Sequence, residues 1–248
     1  MPVQTSVSDT IATISFGGTK GNSLPGALLR ELAQTIEATA AKADVNVIVL
    51  KSEGDGPFCA GASFDELKSI KDESAGKDFF LGFAGVILAM TRAPKPVIVR
   101  VQGKTVGGGV GVAAAADYAI ATKGASIRLS ELAVGIGPFV VGPVIEHKIG
   151  RGPYSALALD ADWRDADWAL RHGLYATVKD STGEVDEAVD ALATKLAKAN
   201  PEAVARIKRT VWANTDHWPK LLDERAAMSG KLVLSKFTRD AIASFEKR

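Results

Sequence analysis

Cysteine is almost absent. Cys59 stands alone among 248 residues, so no internal disulfide framework can form and a reducing compartment is expected. Histidine is nearly as scarce: His147, His172 and His217 are scattered, without the paired spacing of zinc sites, and no metal is expected. Charge of one sign is missing too. With 30 basic and 29 acidic side chains the net charge is +1, which speaks against nucleic acid as a partner. No uninterrupted apolar run reaches the ~18 residues of a membrane span, and the longest candidate, 106–116, is short and rich in glycine. The opening residues, MPVQTSVSDT, carry no basic segment ahead of an apolar one, so neither a signal peptide nor membrane attachment is expected, and the location expected is cytoplasmic. What is present is a balance of 46% hydrophobic and 24% charged residues, that of a globular chain with a sizeable core.

Along the chain, Thr10–Phe16 alternates apolar and polar residues like a strand, then breaks at Gly17, Gly18 and Gly21. Leu28, Leu29, Leu32 and Ile36 recur at helical spacing between Pro25 and Lys42. Val45–Lys51 and Val97–Val101 are short β-branched runs, read as buried strands. Helices are expected at 64–71, 78–91 and from the glycines at 107–109 to about Asp117. Continuous apolar strands alternating with helices indicate a parallel sheet covered by helices, an α/β fold. Beyond Gly135 the pattern is helical: 140–149, 152–159, 165–173, 185–199, 201–214 and Trp218 onward.

Two loops carry the functional signal. Phe58-Cys-Ala-Gly-Ala62 and Gly103-Lys-Thr-Val-Gly-Gly-Gly109 each follow a strand and precede a helix. A helix start has unpaired N–H groups and a positive dipole end, and glycine lets backbone approach a ligand closely. Two such junctions on neighbouring strands can aim N–H groups at one oxygen, an oxyanion hole. Taken singly, either loop reads more readily as a tightly packed turn.

The segments together resemble the crotonase (enoyl-CoA hydratase/isomerase) superfamily. Residues 58–67 are similar to its first oxyanion segment and residues 101–111 to its second. Leu129-Ser-Glu-Leu-Ala-Val-Gly-Ile-Gly-Pro138 resembles its catalytic-glutamate segment, and Asn22-Ser-Leu24 and 165–174 also fit, in the family's order. The resemblance implies a crotonase-like ββα spiral core over 1–195 and a helical C-terminal trimerisation region over 196–248, assembled as a homotrimer or dimer of trimers. It implies an acyl-CoA thioester substrate and no separate cofactor, coenzyme A being part of the substrate. The N–H groups of Ala62 and Gly108 become the oxyanion donors, Glu131 the acid–base group, and Ala60, Gly61, Gly107, Ser130 and Phe139 substrate-binding residues.

One departure is informative. The family's two-glutamate hydratases place a carboxylate three residues after the middle glycine of the triplet, where this chain has Gly111. Glu131 is then left to work alone, and the aromatic in Gly135-Ile-Gly-Pro-Phe139 resembles the family's enoyl-CoA isomerases. Double-bond (Δ3-Δ2) isomerisation of an enoyl-CoA is therefore the leading expectation. Hydration of an enoyl-CoA, including branched ones such as methylglutaconyl-CoA, and a non-catalytic acyl-CoA-binding homologue stay open as alternatives. Cys59 is expected to pack rather than react, and Ser130 either to hydrogen-bond Glu131 or substrate or simply to pack. Lys104, Arg206, Lys208, Arg209, Lys231 and Lys236 are read mainly as a solvated charged face.

Overall fold

The computed structural model describes residues 3–245. In chain order the elements are β1 (Gln4–Ser8), β2 (Ile11–Phe16), a turn of helix α1 (Thr19–Asn22), α2 (Gly26–Ala40), β3 (Val47–Ser52), α3 (Phe64–Ser69), α4 (Glu73–Arg92) and β4 (Val97–Val101). Next come β5 (Thr105–Val106), α5 (Gly108–Ala114), β6 (Tyr118–Thr122), β7 (Ile127–Arg128), α6 (Gly142–Ile149), α7 (Arg151–Asp160) and α8 (Ala166–Arg171). The chain closes with β8 (Thr177–Lys179), α9 (Thr182–Ala197), α10 (Pro201–Val211), α11 (Trp218–Leu232) and α12 (Lys236–Phe245).

Six strands form one sheet in the order β1-β2-β3-β4-β6-β8, parallel except for the antiparallel edge pair β1–β2. Central strands of a sheet covered on both faces bury both sets of side chains, which explains why β3 opens on four apolar residues and β4 is apolar except for Arg100. On one face Val47, Val49, Ile98 and Ile120 pack against Val185, Val189 and Ala193 of α9. On the other lies the main core, with Phe16, Leu29, Leu50, Phe58, Ile87 and Met90 all fully or almost fully buried. A separate two-stranded sheet, β5 with β7, sits where the two glycine loops meet.

Helix α4 is only partly signalled by the sequence. Asp72 caps it by accepting from the Ala75 N–H at 2.8 Å, so it starts five residues earlier than expected at 78. With 20 residues it is long and apolar enough to cross a membrane, contrary to the sequence expectation, yet its apolar face is buried in the core. At Gly76 it meets Gly230 of α11 so closely that a Cβ on Gly76 would stand 2.7 Å from the Gly230 Cα. The glycine pair lets the C-terminal helix dock directly on α4.

Lys208 corrects the expectation of a solvated face. On α10 it is 4% exposed, and its ammonium donates to the carbonyls of Met90 (2.7 Å) and Lys95 (2.9 Å) and pairs with Asp117 at 2.7 Å. Asp117 also accepts from the Val97 N–H and the Trp212 indole N–H, so one carboxylate ties α10 to the start of β4. Removing one partner of such a pair strands the other charge in a poor solvent. Lys208→Met is therefore expected to cost about 3–5 kcal/mol in denaturant unfolding. A loss no larger than that of an exposed control such as Arg209→Met would remove the pair from the stability argument.

Candidate active site

The site is built where β5 and β7 bring the two glycine loops together. Cys59 bridges Thr105 in parallel register, and the Val106 N–H donates to the Cys59 carbonyl at 2.8 Å. Gly61 has φ +89°, and a Cβ there would lie 3.1 Å from the Val106 carbonyl oxygen, so the close approach requires glycine. Gly107 has φ +52° and gives its own N–H to the Arg128 carbonyl at 2.8 Å. That bond turns the chain into α5 with Gly108 as its first residue. Among the described residues the N–H groups of Ala62 and Gly108 have no protein acceptor, while the neighbouring Gly61, Ser63 and Gly107 amides are all engaged. Both residues line a cavity of ≈ 200 Å³.

All the residues singled out from sequence line that cavity: Ala60, Gly61, Ala62, Gly107, Gly108, Ser130, Glu131 and Phe139. Glu131 precedes a short 3₁₀ turn (Leu132–Val134), and its carboxylate lies against Gly107, where a Cβ would stand 3.2 Å from Oε1. The residue as a whole is half-buried, but Oε2 is out of water and without a hydrogen-bond partner. Loss of solvation therefore raises its pKa from 4.5 to about 7, against a smaller lowering by its own backbone N–H. No hydrogen bond joins Ser130 to this carboxylate. Glu131 is the sole acid among the described lining residues.

The remaining wall is apolar and was largely invisible in sequence. Phe83 of α4 packs on Gly108 so tightly that a Cβ would fall 2.1 Å from its Cε1. Val141, at the start of α6, stands over Gly111, where a Cβ would be 2.5 Å from Val141 Cγ1. The place of a second carboxylate is thus filled by a hydrocarbon side chain. Arg128, Trp163 and Ser229 of α11 also line the cavity. None of the three had a local signal in the sequence.

This geometry, two free N–H groups and one desolvated carboxylate across an apolar cavity, coincides with a match of residues 6–248 to the sequence model of the enoyl-CoA hydratase/isomerase family. The chain belongs to that family. Its members include the probable enoyl-CoA hydratase of Bacillus subtilis (strain 168), 26% identical over 99% of this chain and 96% of the relative. The mitochondrial methylglutaconyl-CoA hydratase of Rattus norvegicus is 30% identical over 67% of this chain and 53% of its own length. Among solved structures, an enoyl-CoA hydratase from Bacillus halodurans superposes with a TM-score of 0.90 at 19% identity, over 98% of this chain and all of that one. The crotonase-type α/β fold is therefore shared along the chain, and this family member is an enzyme of that superfamily.

Cys59, inside the first family loop, is fully buried against Gly109 and accepts from the Gly61 N–H at 3.4 Å. Burial pushes its thiol up to about 12, so thiolate is absent at neutral pH. Cys59→Ser is expected to keep its turnover at a stability cost of about 1 kcal/mol, and thiol reagents to spare the native parent. Inactivation of a well-folded Cys59→Ser would give the thiol a chemical role.

Proposed function

We propose that the enzyme isomerises a 3-enoyl thioester of coenzyme A to the conjugated 2-enoyl thioester. The supporting observation is the single desolvated carboxylate, with Val141 where a second one would stand. In this reading the thioester oxygen sits between the Ala62 and Gly108 N–H groups. Glu131 removes a proton from C2, and the C–H electron pair moves into the enolate, whose oxygen the two donors hold. As the carbonyl re-forms, C2 and C3 become doubly bonded, and the C3–C4 π pair takes the proton from Glu131 at C4. Charge exists on the oxygen only in the enolate, so the N–H donors stabilise the transition state more than the ground state. A carboxyl that titrates near neutrality suits both halves of the transfer. Ala60, Gly61, Gly107, Ser130 and Phe139 bind the substrate, and no separate cofactor takes part.

Hydration is the second reading, favoured by the names of the relatives, which include a short-chain-enoyl-CoA hydratase of Clostridium acetobutylicum, 29% identical over 81% of this chain and 77% of its own length. Water addition needs a positioned nucleophile as well as a proton donor, and the apolar wall at Val141 leaves that task to Glu131 alone. Incubation with 2-enoyl and 3-enoyl thioesters in D₂O, followed by mass spectrometry, separates the two. A conjugated product with no added water is expected, carrying deuterium only to the extent that the Glu131 proton exchanges with solvent before its return. Rapid formation of a 3-hydroxyacyl thioester from crotonyl-CoA would sink the isomerase reading.

The same reading carries a homotrimer, or a dimer of trimers, built through residues 196–248. Its support is the run of exposed apolar side chains there, Ile207, Val211, Met228 and Phe237. A monomer in sedimentation at micromolar concentration would overturn it.

A further inference from the structure

We propose that Arg128, Trp163 and Lys104 form a subsite for a carboxylate on the acyl chain, making enoyl thioesters of acidic acyl groups the substrate class. This rests on the thioester reading above. The register Val106↔Arg128 sets the arrangement. Thr105 and Ile127, both fully buried, occupy one face of the small sheet, so Lys104, Val106 and Arg128 share the other. Val106, Arg128 and Trp163 all line the cavity that holds Glu131.

The Arg128 Nε–H donates to the Ala161 carbonyl at 2.6 Å, which fixes the plane of the guanidinium and leaves its outer nitrogens uncommitted. The guanidinium carbon lies 5.9 Å from the centre of the Trp163 ring, and the Lys104 ammonium lies 5.4 Å from the same ring. Trp163 is itself 43% exposed, an indole held by two cations at the edge of the cavity. Among the described residues neither cation has an acidic partner, whereas Arg100 and Arg164 pair with Asp186 and Asp160. Arg128 does not relieve Glu131 either, whose raised pKa reflects burial. A planar fork of free donors beside an apolar cavity matches the two oxygens of a carboxylate.

The phosphates of coenzyme A are the other anions on the substrate, and distance argues against them. They lie a whole pantetheine arm from the thioester. Arg128 is hydrogen-bonded through its carbonyl to Gly107, directly before the Gly108 donor, and belongs to a cavity of only ≈ 200 Å³. In this proposal a short acyl chain extends from the oxyanion hole toward the guanidinium within that cavity.

The test is calorimetric titration of the full-length protein with glutaryl-CoA and pentanoyl-CoA, saturated thioesters of equal carbon count that need no turnover. The parent is expected to bind glutaryl-CoA at least about tenfold more tightly, the worth of one charge-assisted hydrogen bond. In Arg128→Met that ratio should fall to about one. Lys104→Glu, at an exposed position, should also lower it, and covers the case in which Arg128→Met does not fold. Absence of preference in the parent, or an unchanged ratio in the folded variants, overturns the proposal. So does equal weakening of both ligands in Arg128→Met that vanishes with the phosphate-free pantetheine thioesters, which would give the cations to coenzyme A. Failure of the isomerase reading shows separately, as absence of turnover with binding preference intact.

Discussion

Glu131→Gln is expected to lose about 10² or more in kcat while becoming more stable than the parent at pH 8. The two effects share one cause. The carboxylate is held where water cannot solvate it, so its pKa is about 7 in the folded chain against 4.5 for the free group. Between those values the native state keeps a proton that the unfolded state has released. Stability therefore falls as pH rises from 4.5 to 7 and stays low above it. The parent at pH 8 carries a penalty on the order of 3 kcal/mol from this residue, less whatever water enters the open cavity. Glutamine removes the charge but keeps a buried amide to satisfy, so a net gain of about 1–3 kcal/mol is expected. Thermal unfolding of both proteins at pH 8 and pH 4.5 checks it, with the advantage confined to the higher pH. The parent's kcat/KM should rise along a single acid limb with its midpoint near 7, because the free enzyme must present the carboxylate. Near-normal turnover by Glu131→Gln would remove the residue from the mechanism.

Gly108→Val is expected to reduce kcat by about 10²–10³, the worth of one oxyanion donor, and to destabilise the fold by about 1–3 kcal/mol. A Cβ at this position would fall 2.1–2.6 Å from three carbons of the Phe83 ring, so either α4 or the donor loop must move. Movement of the loop takes the Gly108 N–H away from the position proposed for the thioester oxygen. Gly108→Ala combined with Phe83→Leu separates the two contributions by shrinking the opposing ring. Recovery of stability without recovery of kcat supports the donor role. Full recovery of turnover would mean that packing alone had been lost, and Gly108 would leave the oxyanion hole.

The legible part of this protein was local. The β-branched run 97–101 is β4 to the residue, and Asp165 and Pro201 stand where helices α8 and α10 begin. The glycines flagged in the two loops do require their special conformations or contacts, at Gly61 and Gly107 by positive φ and at Gly108 and Gly109 by the side chains pressed against them. Edges were less legible. The two-residue strands β5 and β7 have too few residues for any periodicity, and the exposed edge strand β1 has no buried face to alternate with.

By itself the amino-acid sequence determined the main buried strands, most of the helices, the two glycine junctions and the lone glutamate, because caps, alternation and glycine φ depend on neighbours in the chain. Only the tertiary structure decided what those groups can do. The Glu131 pKa depends on the water that Phe83, Phe139 and Val141 exclude from the cavity. The loss of a second carboxylate became an apolar wall only when α6 laid Val141 over Gly111. Arg128 became a cation beside Trp163 with no acidic partner among the described residues, and Lys208 a buried one on Asp117, through contacts between distant segments. Desolvation and charge pairing are properties of what surrounds a group in space, and no window along the chain contains them.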